Sequence, residues 1–344
     1  MDSIARSPES ERSILFRETA ARRSLASAVL IEKDFWVCWT LLHIYRTPNL
    51  PSILLKGGTS LSKGFQLIDR FSEGIDLAFD RAAFGFTGSH DPANITRTKA
   101  RARALDRLEE QTTQFVNEEF LRAVRGEFAG ILSPQSFNLL PDAVDPLTLL
   151  FSYPPALDAQ DYAGLTYVRP QVRLEMGARS DHYPSRRVDV RCYAAEEFPD
   201  LFTDPNASVT ALAPERTFWE KATLLHAENH RPPPDGERRS RARLSRHLYD
   251  LVMMTKRGVA DAAIDDLPLL DAVAAHKQTF FPAAWARYDL AVPGTLKLVP
   301  TGEFRTGLRQ DYRSMRSMFF GEPPSFEELL QSITELQERI NTLA

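Results

Sequence analysis

The sequence predicts an α+β protein with a mixed-sheet lobe and flanking helices over residues 1–206, followed by a mainly helical lobe over residues 207–344. Short runs before residue 200 alternate apolar and polar residues, the pattern of half-buried strands. Beyond residue 209 the apolar residues recur at helical spacing. A chain of 344 residues is long enough for two such lobes with a substantial core.

Composition narrows the class of protein. A net charge of -4 argues against a protein that binds nucleic acid over its whole surface, but leaves room for local basic patches. With only Cys38 and Cys192 there is no disulfide framework. The first residues lack the apolar core of a signal peptide, and no apolar run is long enough to span a membrane. We therefore expect a cytoplasmic protein without a membrane partner.

The elements are predicted in order along the chain. Proline at residue 8 predicts a helix start, and a second helix covers residues 27–45 with an apolar, core-facing stripe. We then expect a strand at 53–55, a helix at 59–67, a strand at 75–79, one or two helices over 92–130, and strands at 148–153, 168–177 and 185–193. The loop 178–184 suits a hairpin between the last two. Further helices start at Pro214, near residue 241, and at a capping box formed by Ser325 and Glu328.

The stretch after the first predicted strand carries a glycine turn. Lys56 is followed by Gly57, Gly58, Thr59 and Ser60 at the start of a helix. Backbone N–H groups at a helix start bind anions, glycines allow a phosphate to approach closely, and the two hydroxyls add donors. The order of residues is not that of a Walker A loop. The turn is therefore a candidate phosphate cradle, and its significance depends on the residues downstream.

An acidic strand comes next. Residues 74 and 76 face the same side of a strand, so carboxylates at both positions would bind magnesium together with substrate phosphates. Here the pair is Gly74 and Asp76. Glu175, on the polar side of a later strand, is the best further acid, and a third acid would allow two metal ions. Alternatively, Glu175 is an edge-strand carboxylate that pairs with Arg173 or Arg191.

These residues resemble those of the AbiEii family of nucleotidyltransferase toxins, which belong to bacterial abortive-infection and toxin–antitoxin systems. The resemblance covers most of the chain as several blocks in order. They are Lys56–Thr59 with Arg70–Asp76, Glu32–Trp36, Leu174–Glu175, Pro214–Phe218 with Glu220–Lys221, Arg246–Asp250, and Asp311–Tyr312 through Met318–Glu322.

The resemblance implies a nucleotidyltransferase-fold lobe and a helical lobe that complete one active site. It also implies transfer of nucleotides from an NTP with Mg²⁺ to the acceptor end of tRNA, which blocks translation, and a separately encoded antitoxin. By the same resemblance, Gly58 and Ser60 would cradle phosphate, Ser72 and Asp76 would lie at the metal, Lys221 would contact the triphosphate as a point charge, and Asp250 would orient Lys221 or the attacking hydroxyl.

Gly74 departs from the family pattern, which has aspartate there. Loss of a direct ligand of a catalytic metal costs several kcal/mol of transition-state stabilisation, roughly a thousandfold in rate. Three explanations are open: an introduced inactivating substitution, a natural pseudoenzyme, or rescue by Glu73. Rescue is the weakest, because Glu73 should face the other side of the strand.

Two basic segments are candidates for tRNA contact. One contains Arg97, Lys99 and Arg101, and the other contains Arg243 and Arg246. Phosphate contacts by these cations would weaken steeply with salt; the alternative is a solvated helix face. Two other functions stay open: a non-catalytic module that binds tRNA or antitoxin, and an NTP-dependent protein kinase-like enzyme with Ser72 as a candidate acceptor.

Overall fold

A computed structural model describes residues 1–23, 25, 27–72, 74–163, 169–232 and 243–344. The chain divides into two compact units. The sheet unit comprises Met1–Gln66 and Phe71–Leu212, and the helical unit comprises Leu67–Arg70 and Ala213–Ala344. The chain therefore leaves the sheet unit and returns to it between the glycine turn and the acidic strand.

The part of the sheet unit that the structure describes is built on one seven-stranded mixed sheet. Its strands are β1 Ile53–Lys56, β2 Gly74–Phe79, β3 Asn138–Pro141, β4 Thr148–Ser152, β5 Gln171–Gly177, β6 Ser185–Arg191 and β7 Asn206–Leu212. They lie in the order β3-β4-β5-β2-β1-β7-β6. β2 pairs in parallel with β5, β1 pairs in parallel with β7, and the other neighbours are antiparallel. The predicted mixed α+β fold is confirmed.

One predicted connection is wrong. β5 and β6 do not form a hairpin, because β5 lies between β4 and β2 whereas β6 is an edge strand that pairs with β7. Alternation identifies a half-buried strand but not its partner. The strands β3 and β7 were not predicted from the sequence. Ala207, Val209 and Ala211 are buried in β7 and alternate with Ser208 and Thr210, so its signal was present but weakened by small side chains.

Helices cover the sheet and supply most of the core. They are α1 Asp2–Arg6, α2 Glu9–Arg22, α3 Ala28–Arg46, α4 Gly57–Thr59, α5 Thr98–Phe115, α6 Leu121–Ala129, α7 Ala159–Tyr162 and α8 Tyr193–Glu197, with π-type turns at Ser60–Gly64 and Val116–Phe120. Ser27 caps α3 by accepting from the Val29 N–H. The rings of Trp36 and Trp39 in α3 lie 6.0 and 5.8 Å from that of Phe151 in β4. α3 is therefore the central core helix. The helix expected over 59–67 ends at Gly64.

The helical unit contains α9 Pro214–His230, α10 Ser245–Lys256, α11 Val259–Ile264, α12 Leu267–Phe280, α13 Gly302–Ser314 and α14 Phe326–Asn341. The predicted capping box of α14 is present, with Ser325 and Glu328 exchanging side-chain to backbone hydrogen bonds. α10 begins at Ser245, where Asp311 accepts from the Ser245 N–H and hydroxyl. Arg243, with φ +65°, therefore precedes the helix, whereas the sequence predicted a helix start near residue 241. The sequence indicates a loop over residues 231–240, and residues 233–242 lie outside the described residues.

Candidate functional site

The glycine turn after β1 is built against Asp76. Gly57 has φ +71°, a left-handed conformation that glycine adopts at little cost. A Cβ atom at residue 57 would lie 1.9 Å from Asp76 Oδ2. The carboxylate therefore lies directly against the turn, in space that exists only because residue 57 has no side chain.

Two buried hydroxyl groups, those of Thr59 and Ser60, stabilise this turn through hydrogen bonds to backbone carbonyls. Thr59 Oγ1 donates to the carbonyl of Gly74 over 2.6 Å, which ties the turn to the start of β2. Ser60 Oγ donates to the carbonyl of Gly57 over 2.9 Å. Both hydroxyl protons are thus used within the sheet unit. In this structure Thr59 and Ser60 shape the turn, and their oxygens keep only acceptor capacity.

Three charged residues form a row across one face of the sheet. Lys56 in β1 is the direct partner of Asp76 in β2, and Asp76 is the direct partner of Glu175 in β5. Residues directly opposite each other on neighbouring strands point to the same face. Lys56 Nζ donates to Ser180 Oγ over 2.8 Å. The row places two carboxylates and one cation beside the glycine turn.

Arg173 lies one pleat away on the same face. Its Nε is 3.4 Å from Glu175 Oε1, and its Nη1 is 2.7 Å from Asp142 Oδ2. The predicted alternative, pairing of Glu175 with Arg173, is therefore present, but β5 is an inner strand of the sheet and not the edge strand that this alternative assumed. The pairing does not bury the carboxylate, because the Glu175 side chain stays 47% exposed. Glu175 can still receive a second cation from solvent.

The backbone at Gly74 leaves room for a side chain, at the position of the acidic strand where the family pattern has aspartate. A Cβ atom there would meet the Arg173 carbonyl at 3.4 Å, Arg173 Cβ at 3.8 Å and Glu175 Oε1 at 3.8 Å, which are ordinary contacts. Among the described residues, no group of three or more His, Cys, Asp or Glu is placed to hold a metal. Asp76 and Glu175, the predicted metal ligands, are direct partners on neighbouring strands, and a magnesium ion held by them would need phosphate oxygens and water to complete its shell. They do not supply ligands for two.

The far side of the turn is anchored by a buried ion pair that the sequence did not single out. Lys63 Nζ lies 2.9 Å from Asp34 Oδ1 in α3 and 3.3 Å from the centre of the Tyr193 ring. Asp34 Oδ2 also accepts from the Tyr193 N–H over 2.6 Å. Burial raises the pKa of Asp34, and the Lys63 charge opposes that rise. Asp34 lies in the Glu32–Trp36 block, which is the signal that pointed to it.

The helical unit holds the other predicted residues in a second cluster. Lys221 of α9 lies 2.9 Å from Asp250 Oδ2 of α10 through its Nζ. Arg70 donates two hydrogen bonds to the same carboxylate, from Nε to Oδ1 over 2.7 Å and from Nη2 to Oδ2 over 2.8 Å. His247 Nδ1 is 3.4 Å from Lys221 Nζ. The sequence predicted the proximity of Lys221 and Asp250 but gave Arg70 no role of its own.

The predicted basic residues lie at or just before the starts of α5 and α10. Arg97, Lys99 and Arg101 stand at the start of α5, joined by Arg103 and Arg107 further along it; four of the five are exposed and Arg101 is half-buried. No acidic partner is seen for any of the five within the described residues. Arg246 is exposed in the first turn of α10. Ser72 is half-buried just before β2, and Glu73, the rescue candidate, lies outside the described residues.

Comparison with known proteins places the chain in a family. The sequence profile of the "Nucleotidyl transferase AbiEii toxin, Type IV TA system" family matches residues 39–332. The chain belongs to this family of nucleotidyltransferase toxins from toxin–antitoxin systems. Among solved structures it is similar to MenT4, a nucleotidyltransferase toxin from Mycobacterium tuberculosis H37Rv, with 13% identity, a TM-score of 0.43, and coverage of 95% of this chain and 98% of that one. A search of curated proteins returned no match.

One structural finding bears on membranes. Within the described residues, no helix combines the length and apolar character needed to cross a bilayer.

Proposed function

We propose that this chain transfers nucleotides from an NTP to the acceptor end of tRNA and thereby blocks translation in the cytoplasm. A separately encoded antitoxin would counteract it. Membership of the toxin family supports the class of reaction. The observation that carries the proposal is the Asp76 carboxylate held against the glycine turn, at a point where any side chain on Gly57 would displace it.

Each cluster has a distinct role in this proposal. The turn from Gly57 to Ser60 would receive the triphosphate, and Lys221 would contact one of its oxygens as a point charge. Asp250 would orient Lys221, since the two lie 2.9 Å apart. The hydroxyl at the RNA end would lose its proton to solvent, and its oxygen would attack the α-phosphorus to form the new phosphodiester bond as the bond to the pyrophosphate leaving group breaks.

A magnesium ion would be held by Asp76 and Glu175 and would supply charge stabilisation to the phosphates. Arg173 and Lys56 flank those carboxylates and lower their net negative charge before any ion arrives. The residues at this face therefore favour an ion that comes together with the nucleotide, because the phosphates add the ligands that the strand lacks.

The basic start of α5 is the proposed contact for the tRNA backbone. Lys99, Arg103 and Arg107 recur at intervals of four residues, so they follow one face of the helix. Cations in a first helical turn oppose the helix dipole, so Lys99 and Arg101 lower the stability of the free helix slightly. An RNA phosphate would relieve that repulsion, which favours a binding role over a purely solvated face.

A non-catalytic binding protein is the second candidate, and Gly74 favours it. With a single carboxylate from β2 and an arginine already on Glu175, the sheet face holds weaker metal ligands than the family pattern provides. Such a protein would keep the α5 surface and bind tRNA or antitoxin without chemistry.

Two positions of a radiolabel separate these functions. We expect label on the α-phosphate of an NTP to enter tRNA when magnesium is present, and label on the γ-phosphate to leave with pyrophosphate. Label from the γ-phosphate on the protein, for example at Ser72, would instead support the kinase-like reaction. Retention of neither label, together with magnesium-independent tRNA binding, would support the binding protein.

A further inference from the structure

The loop between β5 and β6 carries a serine to the strand β1. Because β6 lies at the far edge of the sheet, residues 178–184 must cross β2, β1 and β7. That crossing covers four strand spacings, about 19 Å, and seven residues span at most about 25 Å when fully extended. The loop therefore takes a nearly direct path across the sheet, and on that path Ser180 Oγ comes within 2.8 Å of Lys56 Nζ.

Ser180 is packed against the sheet and does not lie at an exposed loop tip. Its exposed fraction is only 9%. Of the two residues before it, Ala178 is buried and Arg179 forms an ion pair with Glu109 of α5. The loop is therefore attached to the rest of the sheet unit directly before the serine, which keeps the hydroxyl group beside Lys56.

The Lys56–Ser180 pair has more hydrogen-bond donors than acceptors. The ammonium group of Lys56 has three donors, and it gives one to Ser180 Oγ over 2.8 Å. Within the part of the chain that the structure describes, no carboxylate lies at ion-pair distance from Lys56 Nζ, and no acceptor is seen for the hydroxyl proton of Ser180. An ammonium group cannot accept that proton. Two N–H donors and one O–H donor are therefore left close together.

The surroundings of the pair strengthen its attraction for an anion. Leu54 lies two residues before Lys56, and therefore on the same face of β1. It forms a small buried apolar cluster with Ala78 and Leu212. Charge interactions and hydrogen bonds are stronger beside apolar groups than in bulk water. An anion at this face would therefore be held more firmly than one on an open surface.

We propose that Lys56 and Ser180 form an anion-binding site for a phosphate group of the nucleotide. Ser180 orients the lysine and donates its own hydroxyl to the anion. The hydroxyl protons of Thr59 and Ser60 are used within the glycine turn, so this pair supplies the side-chain donors that the turn lacks. The inference rests on the proposed function only in assigning the anion to the nucleotide.

Calorimetric titration with inorganic tripolyphosphate tests the site. Magnesium is included, because Asp76 and Glu175 lie on the same face and would repel a free anion. Lys56→Met and Ser180→Ala should each weaken binding about tenfold, and Ser180→Thr, which keeps the hydroxyl, should recover most of the affinity. Lys297→Met is the matched control, because it removes the same charge from an exposed lysine of the helical unit. It should bind as the natural chain does.

Chemical labelling of amines shows where the anion binds in the natural chain. Tripolyphosphate should slow the reductive methylation of Lys56 and leave that of Lys297 unchanged, as measured by mass spectrometry of peptides. Absence of saturable binding by the natural chain, or absence of protection at Lys56, would overturn the proposal. Unchanged affinity in Lys56→Met or in Ser180→Ala would overturn it as well.

The proposed function and this site can fail separately. If neither the natural chain nor Gly74→Asp adds nucleotides to tRNA, but tripolyphosphate binding depends on Lys56 and Ser180, the anion site is right and the proposed reaction is wrong. If nucleotides are added while the affinity for tripolyphosphate is independent of both residues, the reaction is right and the anion site is wrong.

Discussion

Replacing Gly74 with aspartate should give the acidic strand its second carboxylate. The backbone accepts the new side chain, since its Cβ would make only ordinary contacts, none closer than 3.4 Å. That Cβ would lie 3.8 Å from Glu175 Oε1. The new carboxylate would therefore lie beside Glu175 and on the same strand face as Asp76, the arrangement that binds a divalent cation.

The size of the effect depends on the charges. Two carboxylates about 5 Å apart repel by about 1–3 kcal/mol between bulk water and a protein surface. The metal-free Gly74→Asp protein should lose stability of this order, less the part that Arg173 offsets. A divalent ion removes the repulsion and gains a ligand, so the same variant should bind the ion more tightly than the natural chain does.

Thermal unfolding across a Mn²⁺ titration measures both effects. Gly74→Asp should unfold at a lower temperature than the natural chain without metal, and should be stabilised at lower Mn²⁺ concentrations. Gly74→Asn is the matched control, because it fills the same space without charge. If the Asp and Asn variants respond to Mn²⁺ alike, the carboxylate does not reach the ion and the prediction is wrong.

Three further predictions concern the supports of the site. Gly57→Ala should cost at least ~1–3 kcal/mol of unfolding free energy in chemical denaturation, because it adds a clash with Asp76 to the backbone penalty. Gly85→Ala is the control, since Gly85 has a similar φ of +79° but lies in open space, and it should cost less. Equal losses in the two variants would contradict this prediction. Lys63→Met should cost ~3–5 kcal/mol of unfolding free energy, because it leaves the buried Asp34 carboxylate without its counter-charge. The double variant Lys63→Met/Asp34→Asn should recover part of that loss. A loss below about 1 kcal/mol by the same method would show that the pair is not buried in solution. Charge reversal of exposed cations in the first half of α5 should weaken tRNA binding and flatten its dependence on salt, as measured by filter binding at several salt concentrations; an unchanged slope would remove this surface from the interface.

The sequence indicated the local parts of the candidate site well. The strand, glycine turn and acidic strand are readable from residues 53–79, and Lys221 and Asp250 were predicted to act together, as their 2.9 Å contact allows. Alternation in β5 placed Glu175 on the polar face that it shares with Asp76.

The sequence did not predict which distant strands and charged residues pair with each other. The strand β6 has the same alternation as β5, yet it pairs with β7 at the opposite edge of the sheet, because period two fixes the faces of a strand and not its neighbours. The Lys63–Asp34 and Arg70–Asp250 pairs join residues 29 and 180 positions apart. Nothing in the local pattern distinguishes a lysine or arginine that will be buried against a carboxylate from one that faces solvent.

Transfer of a nucleotide to tRNA through Asp76 and Lys221 is the reaction proposed for this chain. The decisive measurement is the intact mass of tRNA after incubation with an NTP mixture, magnesium and the Gly74→Asp protein. We expect the mass to rise by whole nucleotide units at the acceptor end, and Lys221→Gln in the same background to abolish the increase. An unchanged tRNA mass with a folded, metal-binding Gly74→Asp protein would show that the chain does not carry out this reaction.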